Sequence, residues 1–326
     1  MTGADGGGSP RRAVADWLLR HGFVLIMAGF VLFFALTAKS FLTPGNLLDV
    51  LQGNVVLLIL ALAMTLIVAA GGIDLSVGVA LDFGAAFAMV ALKQYGAPGA
   101  VAVMAAVLGG ALVGLANAGL IVGLGVSPFL ATLSVLFIGS SVERIYTEGG
   151  GPIAFRAMPA SYRDLAAGNV LGVPSEIVLA LVVLAVCYVV LEWSIHGKRI
   201  HAIGLQRRAA EVAGIRIGRY LALTFVAASA ICALGGVILS ATLRQFTPLT
   251  GSAYLLHAIA AVFIGASLHQ HARPNVPGTL LGVLFLGLVA NGLNLLGLDF
   301  NVKDALAGLI LVFALALSIA QQRLRR

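Results

Sequence analysis

The sequence predicts an all-α integral membrane protein, a polytopic bundle of about ten transmembrane helices. Three observations carry that expectation. Of 326 residues, 60% are hydrophobic and only 10% are charged, with mean hydropathy +1.04, whereas a soluble domain carries about 25% charged residues. The apolar residues fall into Gly-punctuated runs, most of them near the roughly 20 residues that a helix needs to cross the hydrocarbon. Runs such as 177–191 are continuous and lack the strict alternation of a barrel strand.

In chain order, spans are expected at about 21–38, 47–70, 74–93, 98–123, 127–146, 174–195, 218–241, 252–268, 277–297 and 303–320. Residues 1–16 are rich in Gly, Ser and charge and are expected to form a disordered cytoplasmic tail, with 17–326 a single transmembrane domain. "SPRRAVADW" and the later "ALTAK" have features of a secretion signal. Nine more spans follow, however, so the first helix is expected to be retained. Cys187 and Cys232 both lie within spans and read as small hydrophobes rather than a disulfide or metal pair.

Lys and Arg set the orientation. With both termini cytoplasmic, thirteen of the twenty basic residues fall on the cytoplasmic side, six of them between Lys198 and Arg219. The opposite orientation would place that loop outside, against the positive-inside rule. The net charge of +7 therefore reads as topology and contact with anionic lipid. No aromatic-laced basic patch suggests nucleic acid.

Two soluble segments interrupt the bundle. Residues 148–176, expected on the periplasmic side, are Gly- and Pro-rich, with Met158, Tyr162 and Leu165 available for a short amphipathic element. A loop of that length is usually functional or disordered; here it is read as a docking surface. Residues 196–220 hold good helix material over 202–212, followed by Gly214 at a C′-like position. So short a helix needs a partner to pack on, and that partner should be cytoplasmic.

The most informative stretch is "GGIDLSVG", residues 71–78, which places Asp74 between two apolar runs. Gly71 and Gly72 permit a hinge that breaks the helix near 71–76, and Asp74 is then expected to act as the N-cap of the third span. An unpartnered charge deep in a span costs about 2.5–3.5 kcal/mol on the insertion scale, so Asp74 is expected on the protein interior, as a cap first and a gate or path residue second.

"AMTLIVAAGGIDLSVG" (63–78), "SPFLATLSVLFI" (127–138), "AIGLQRRAAEVAGI" (202–215), "AIAAVFIGASL" (258–268) and "PGTLLGVLFLGLVANGLNLLGL" (277–298) occur in that order. On these motifs the chain, over residues 46–319, resembles the inner-membrane permease subunits of ribose-type ATP-binding-cassette sugar importers. The resemblance matches Ala202, Ile203, Gly204, Ala209, Ala210, Gly214 and Ile215 to the family's ATPase-docking loop. The chain departs from the family at Leu205-Gln206, at Glu211 within the docking loop, in "SLHQHARPNVPGT" (267–279), and at Asp82, an acid unusual at that position. His269 and His271, without a third ligand nearby in sequence, read as a solvated loop and not a metal site.

The resemblance implies a bacterial inner-membrane protein that works with a cytoplasmic ATPase, a periplasmic sugar-binding protein and a second permease chain, a homodimer being expected. The chain has no G-x-x-x-x-G-K-[ST] and so no phosphate-cradling loop of its own. It is expected to be neither an enzyme nor a cofactor carrier; ATP and Mg would belong to the partner. An uncharged polyol needs scattered hydroxyls and amides along its route, and the candidates are Asp74, Ser76, Asn117, Asn291 and Asn294. Thr132 and Ser134 are read as interhelical hydrogen bonders instead. "NAGLIVGL" (117–124) and "NGLNLLGL" (291–298) share N-x5-G-L on spans four and nine, an offset that would make the halves inverted repeats.

Permeases for branched-chain amino acids or nucleosides share this general architecture and are the nearest rival reading. An ion-coupled secondary transporter would want several paired acids or bases in its spans, where Asp74 and Asp82 are the acids expected. A structural scaffold would not need the broken helix.

Overall fold

The structure, a computed structural model, describes residues 10–269 and 272–298 and a few isolated positions beyond, with side chains from Val24 onward. His271 and the continuous stretch of the expected tenth span lie outside the described residues. In chain order the elements are α1 (Pro10–Thr37), α2 (Pro44–Gly53), α3 (Val55–Ala69), α4 (Val77–Tyr95), α5 (Gly99–Ala118), α6 (Pro128–Tyr146), β1 (Ile153–Ala154) and α7 (Ala160–Ala167). There follow β2 (Asn169–Val170), β3 (Val173–Pro174), α8 (Ser175–Tyr188), α9 (Ile195–Leu205), α10 (Arg207–Val212), α11 (Ile217–Leu243), β4 (Gln245–Phe246), α12 (Ser252–Leu268) and α13 (Val276–Leu295). Single π turns, Gly119–Gly123 and Val189–Trp193, extend α5 and α8.

Among the described residues, six helical segments are long and apolar enough to cross a membrane. A seventh is added if α2 and α3, bent by 49° against each other, count as one span. This bend is an addition to the break expected near 71–76, which the structure has between α3 and α4. Asn54 joins the two helices at φ −105°, ψ 4°, and its amide turns back to donate to the Val50 carbonyl at 2.7 Å. Residues 70–76, by contrast, are a connection between separate helices. The expected tail is corrected as well: α1 begins at Pro10, within it, and a proline is well tolerated in a first helical turn.

Burial follows hydrophobicity. Every residue of α3 except Val68 is buried, as expected of a helix apolar on all sides. The long helix α11 packs against α3, α4 and α5. The segment joining α11 to α12 folds back onto the bundle: Gly251 lies backbone to backbone on Gly78, where a Cβ on Gly78 would stand 2.6 Å from the Gly251 carbonyl carbon.

The long segment between α6 and α8 is ordered by its few apolar residues. Tyr162 of α7 is fully buried, and its hydroxyl shares a 2.7 Å hydrogen bond with Ser240 of α11. Strands β1 and β4 pair antiparallel, with Ile153 opposite Phe246 and Ala154 opposite Gln245. Strands β2 and β3 form a small hairpin.

Candidate functional site

The 70–76 connection begins where α3 is stopped. Gly71 has φ +81°, its N–H bonds to the Val68 carbonyl, and the Gly72 N–H bonds to the Ile67 carbonyl, both at 3.0 Å. This is a Schellman termination, which needs a left-handed residue at Gly71's position. Gly72 is under no such constraint.

Three residues after Gly71, the chain turns into α4 through Asp74. Its Oδ1 accepts from the Ser76 N–H at 2.7 Å and from the Ser76 hydroxyl at 2.6 Å. Asp74 is therefore not the N-cap: Ser76 holds that position, and α4 begins at Val77. The acid acts two residues earlier, closing the turn. From α5, the Asn117 side-chain amide donates to Ser76 Oγ at 2.8 Å and reaches Asp74 Oδ2 at 3.5 Å. On the other side, the Thr132 hydroxyl of α6 lies 3.4 Å from the Ile73 carbonyl.

Asp74, Ser76 and Asn117 are each 0% exposed, so this cluster is closed. It ties the turn to α5 and leaves one acceptor, Asn117 Oδ1, without a partner among the described residues. A buried amide oxygen left unpaired carries a cost.

The remaining candidates lie elsewhere. Asn291 of α13 exchanges two 2.9 Å amide hydrogen bonds with Asn46 of α2, a partner that reading the sequence did not single out. Asn294 is exposed. The Ser134 hydroxyl donates to the Leu130 carbonyl of its own helix at 2.9 Å. Asn117 and Asn291 thus share a local sequence pattern but have unlike surroundings.

The 196–220 segment is two helices, not one. Ser194 caps α9 by accepting from the His196 and Gly197 N–H groups, and extended Gln206 (φ −156°, ψ 91°) separates α9 from α10. Gly214, at φ +78°, ends α10 with a second Schellman pair, Ile215 N–H to the Ala210 carbonyl and Gly214 N–H to the Glu211 carbonyl. Ile203 and Ala210 are buried against the bundle. Ala202 and Ile215 are half-buried, while Gly204, Ala209, Glu211 and Gly214 are exposed. Val212 is 91% exposed and Leu205 60%.

This segment touches the acid turn directly. A Cβ on Gly71 would stand 3.0 Å from the Gly204 Cα, and a Cβ on Gly204 would run into the Ala69 carbonyl oxygen. Burial lowers the pKa of His201, on the same helix, and the nearby Arg273 and His269 add to that effect against Glu192. Among the described residues no group of three or more His, Cys, Asp or Glu side chains gathers to hold a metal.

The family described as branched-chain amino acid transport system / permease component matches residues 46–315, a range that takes in the acid turn, α9 and α10. The chain belongs to this permease family. It is similar to the ribose import permease protein of Bacillus subtilis (strain 168), at 31% identity over 290 residues, covering 88% of each chain. Its similarity to the ribose import permease protein of Escherichia coli (strain K12) is 30% over 311 residues, 94% of this chain and 95% of the relative. The autoinducer 2 import system permease protein of Yersinia pestis (strain Pestoides F) is 28% identical over 300 residues, 90% of each. No solved structure matches the chain. As a permease component of an ATP-binding-cassette importer, the protein is not itself catalytic, and the family's permeases carry no cofactor.

Proposed function

We propose that this permease imports a sugar or sugar-like polyol across the bacterial inner membrane, driven by a separate cytoplasmic ATPase and supplied by a periplasmic binding protein. The observation that carries the reading is the contact between Gly204 and Gly71. It joins the segment that resembles an ATPase-docking loop to the turn that holds Asp74, Ser76 and Asn117, so a push on α9 and α10 has a direct mechanical route to the cluster. In this reading Gly71 and Gly72 are the hinge. Asp74, Ser76 and Asn117 form a closed gate, and Asn291 and Asn294 belong to the route. The names of the ribose permeases favour a sugar over the amino acids of the family's description.

The topology follows. In this reading the six helical segments long enough to span, the bent pair α2–α3 counted as one span, α1, α12 and the span expected from the sequence at 303–320, which lies outside the described residues, give ten spans with both termini cytoplasmic. Residues 148–176 face the periplasm, and two copies enclose the route. Uptake of a panel of pentoses, hexoses, sugar alcohols and branched-chain amino acids by cells expressing the permease with its ATPase and binding protein tests the substrate class. Uptake competed by a branched-chain amino acid and by no sugar would refute it.

A further inference from the structure

The expectation that Asp74 and Asp82 are the acids of the spans is incomplete. Glu143 of α6 and Asp82 of α4 converge on one short turn, accepting from backbone N–H groups only two residues apart, and each residue is only 2% exposed. Both acids hold the same turn between α11 and α12. Glu143 Oε2 accepts from the Leu249 N–H at 2.7 Å, and both Asp82 oxygens accept from the Gly251 N–H at 3.0 Å.

The donors are too few for two charges. Among the described residues neither acid has a Lys or Arg in ion-pair contact, and Glu143 Oε1 receives no N–H or O–H from any other kind of group. A bridging water would need two or more polar partners. The recess of about 140 Å³ beside Glu143 offers few, being lined mainly by Phe83, Phe87, Val90, Val142, Tyr146 and Phe246. Two ionised carboxyl groups in contact repel each other, and burying even one uncompensated charge is costly. A single hydrogen on either acid removes one charge and supplies the missing donor.

We propose that Asp82 and Glu143 are a proton-binding pair that holds one hydrogen between them, and that this hydrogen keeps the 247–251 turn seated on α4 and α6. The seat has little slack. Leu249 sits at φ +62°, uncommon for a residue with a side chain, and Gly251 rests directly on Gly78. The charged and titratable groups around the pair are Arg144 on α6, Tyr146 farther along the same helix, and Tyr254 on α12. None of them donates to either carboxyl among the described residues. When the hydrogen leaves at alkaline pH, two like charges face each other and the turn lifts.

Infrared difference spectra of the full-length permease in liposomes test this, comparing wild type with Glu143→Gln and with Asp82→Asn at pH 7. The expected result is a protonated carboxylic acid C=O band, sensitive to deuterium oxide, that is lost from both variants, disappears from wild type at alkaline pH and persists in Asp74→Asn. Glu143→Gln carries its own amide donor, so it should keep the wild-type melting temperature and lose its alkaline decline; Glu143→Ala should melt lower at every pH. Only carboxylate bands from the pair at pH 7 would overturn the proposal. So would bands that respond to sodium or potassium but not to pH, since the pair would then hold a metal cation.

Discussion

Gly204 of α9 and Gly71 at the end of α3 meet backbone to backbone, with no room for a side chain on Gly204 and only a tight fit for one on Gly71. The coupling proposed above between a cytoplasmic partner and the Asp74 turn therefore needs no flexible side chain to relay it. The two backbones bear on each other, and they move together or part.

Gly204→Ala adds a methyl group that collides with the Ala69 carbonyl, which is backbone and cannot rotate away. Overpacking of this kind costs about 1–3 kcal/mol. We expect a lower melting temperature and a marked loss of uptake, while the ATPase still co-purifies through the exposed face around Val212. Normal uptake would show that the contact is not a transmission point.

Asp74→Asn keeps an acceptor for the Ser76 N–H and hydroxyl, while its new amide replaces the oxygen that the Asn117 amide nitrogen approaches at 3.5 Å, so the Asn117 amide must turn over to meet it with its unpaired Oδ1. Asp74→Leu leaves buried donors unpaired, at about 1–3 kcal/mol. The Asn variant should retain folded protein and much of the uptake, and the Leu variant should lose folded protein on size-exclusion chromatography. Uptake abolished in a well-folded Asn variant would mean that the charge itself is required.

Gly214→Glu meets no neighbouring atom, but it places a side chain at φ +78°, a strain of about 1 kcal/mol. The permease should remain inserted while recovery of the ATPase on an affinity column falls together with transport. Arg156→Ala, on the other soluble segment, should leave that recovery unchanged.

His201 supplies a pH dependence. Its folded pKa lies below the ordinary imidazole value because burial disfavours the charged ring. The unfolded chain therefore binds the proton more readily, and stability is retained above about pH 6.5 and lost as the pH falls through and below it. Melting temperature should drop between pH 7 and pH 5 in the wild type and drop less in His201→Gln; equal slopes would remove His201 as the cause.

Much of the membrane architecture was legible because hydrophobic length is a local property. Asp74, Ser76 and Asn117 stood out as polar residues in apolar surroundings, and the left-handed requirement at Gly214 could be read from its place after a short helix, whereas Gly71 and Gly72 read alike as a hinge. Pairings across the fold could not be read. Asn117 reaches Ser76 over 41 residues and Asn46 reaches Asn291 over 245, distances at which no periodicity carries information. Glu143 sits near the end of its helix beside Arg144 and reads as an interfacial acid; only the approach of α4 makes it buried. The bend at Asn54 is hidden within an apolar run, because an amide that turns back to Val50 leaves no compositional trace.

The pairing of β1 with β4 and of Tyr162 with Ser240 bears on the order of biosynthesis. Chains emerge N-terminus first, yet Ile153 finds its partner only at Phe246, and Tyr162 finds its own only at Ser240. The segment carrying α7 has part of its packing surface at hand as it is made, since Gly99 of α5 lies on Ser161 and Tyr162, and Ala102 and Ala106 share the apolar cluster of Tyr162 and Met158. The Tyr162 hydroxyl gains its partner only with Ser240, 78 residues on, and β1 gains its own only with β4. This segment therefore completes its packing late in synthesis, and α11 and β4 act as the elements that close it.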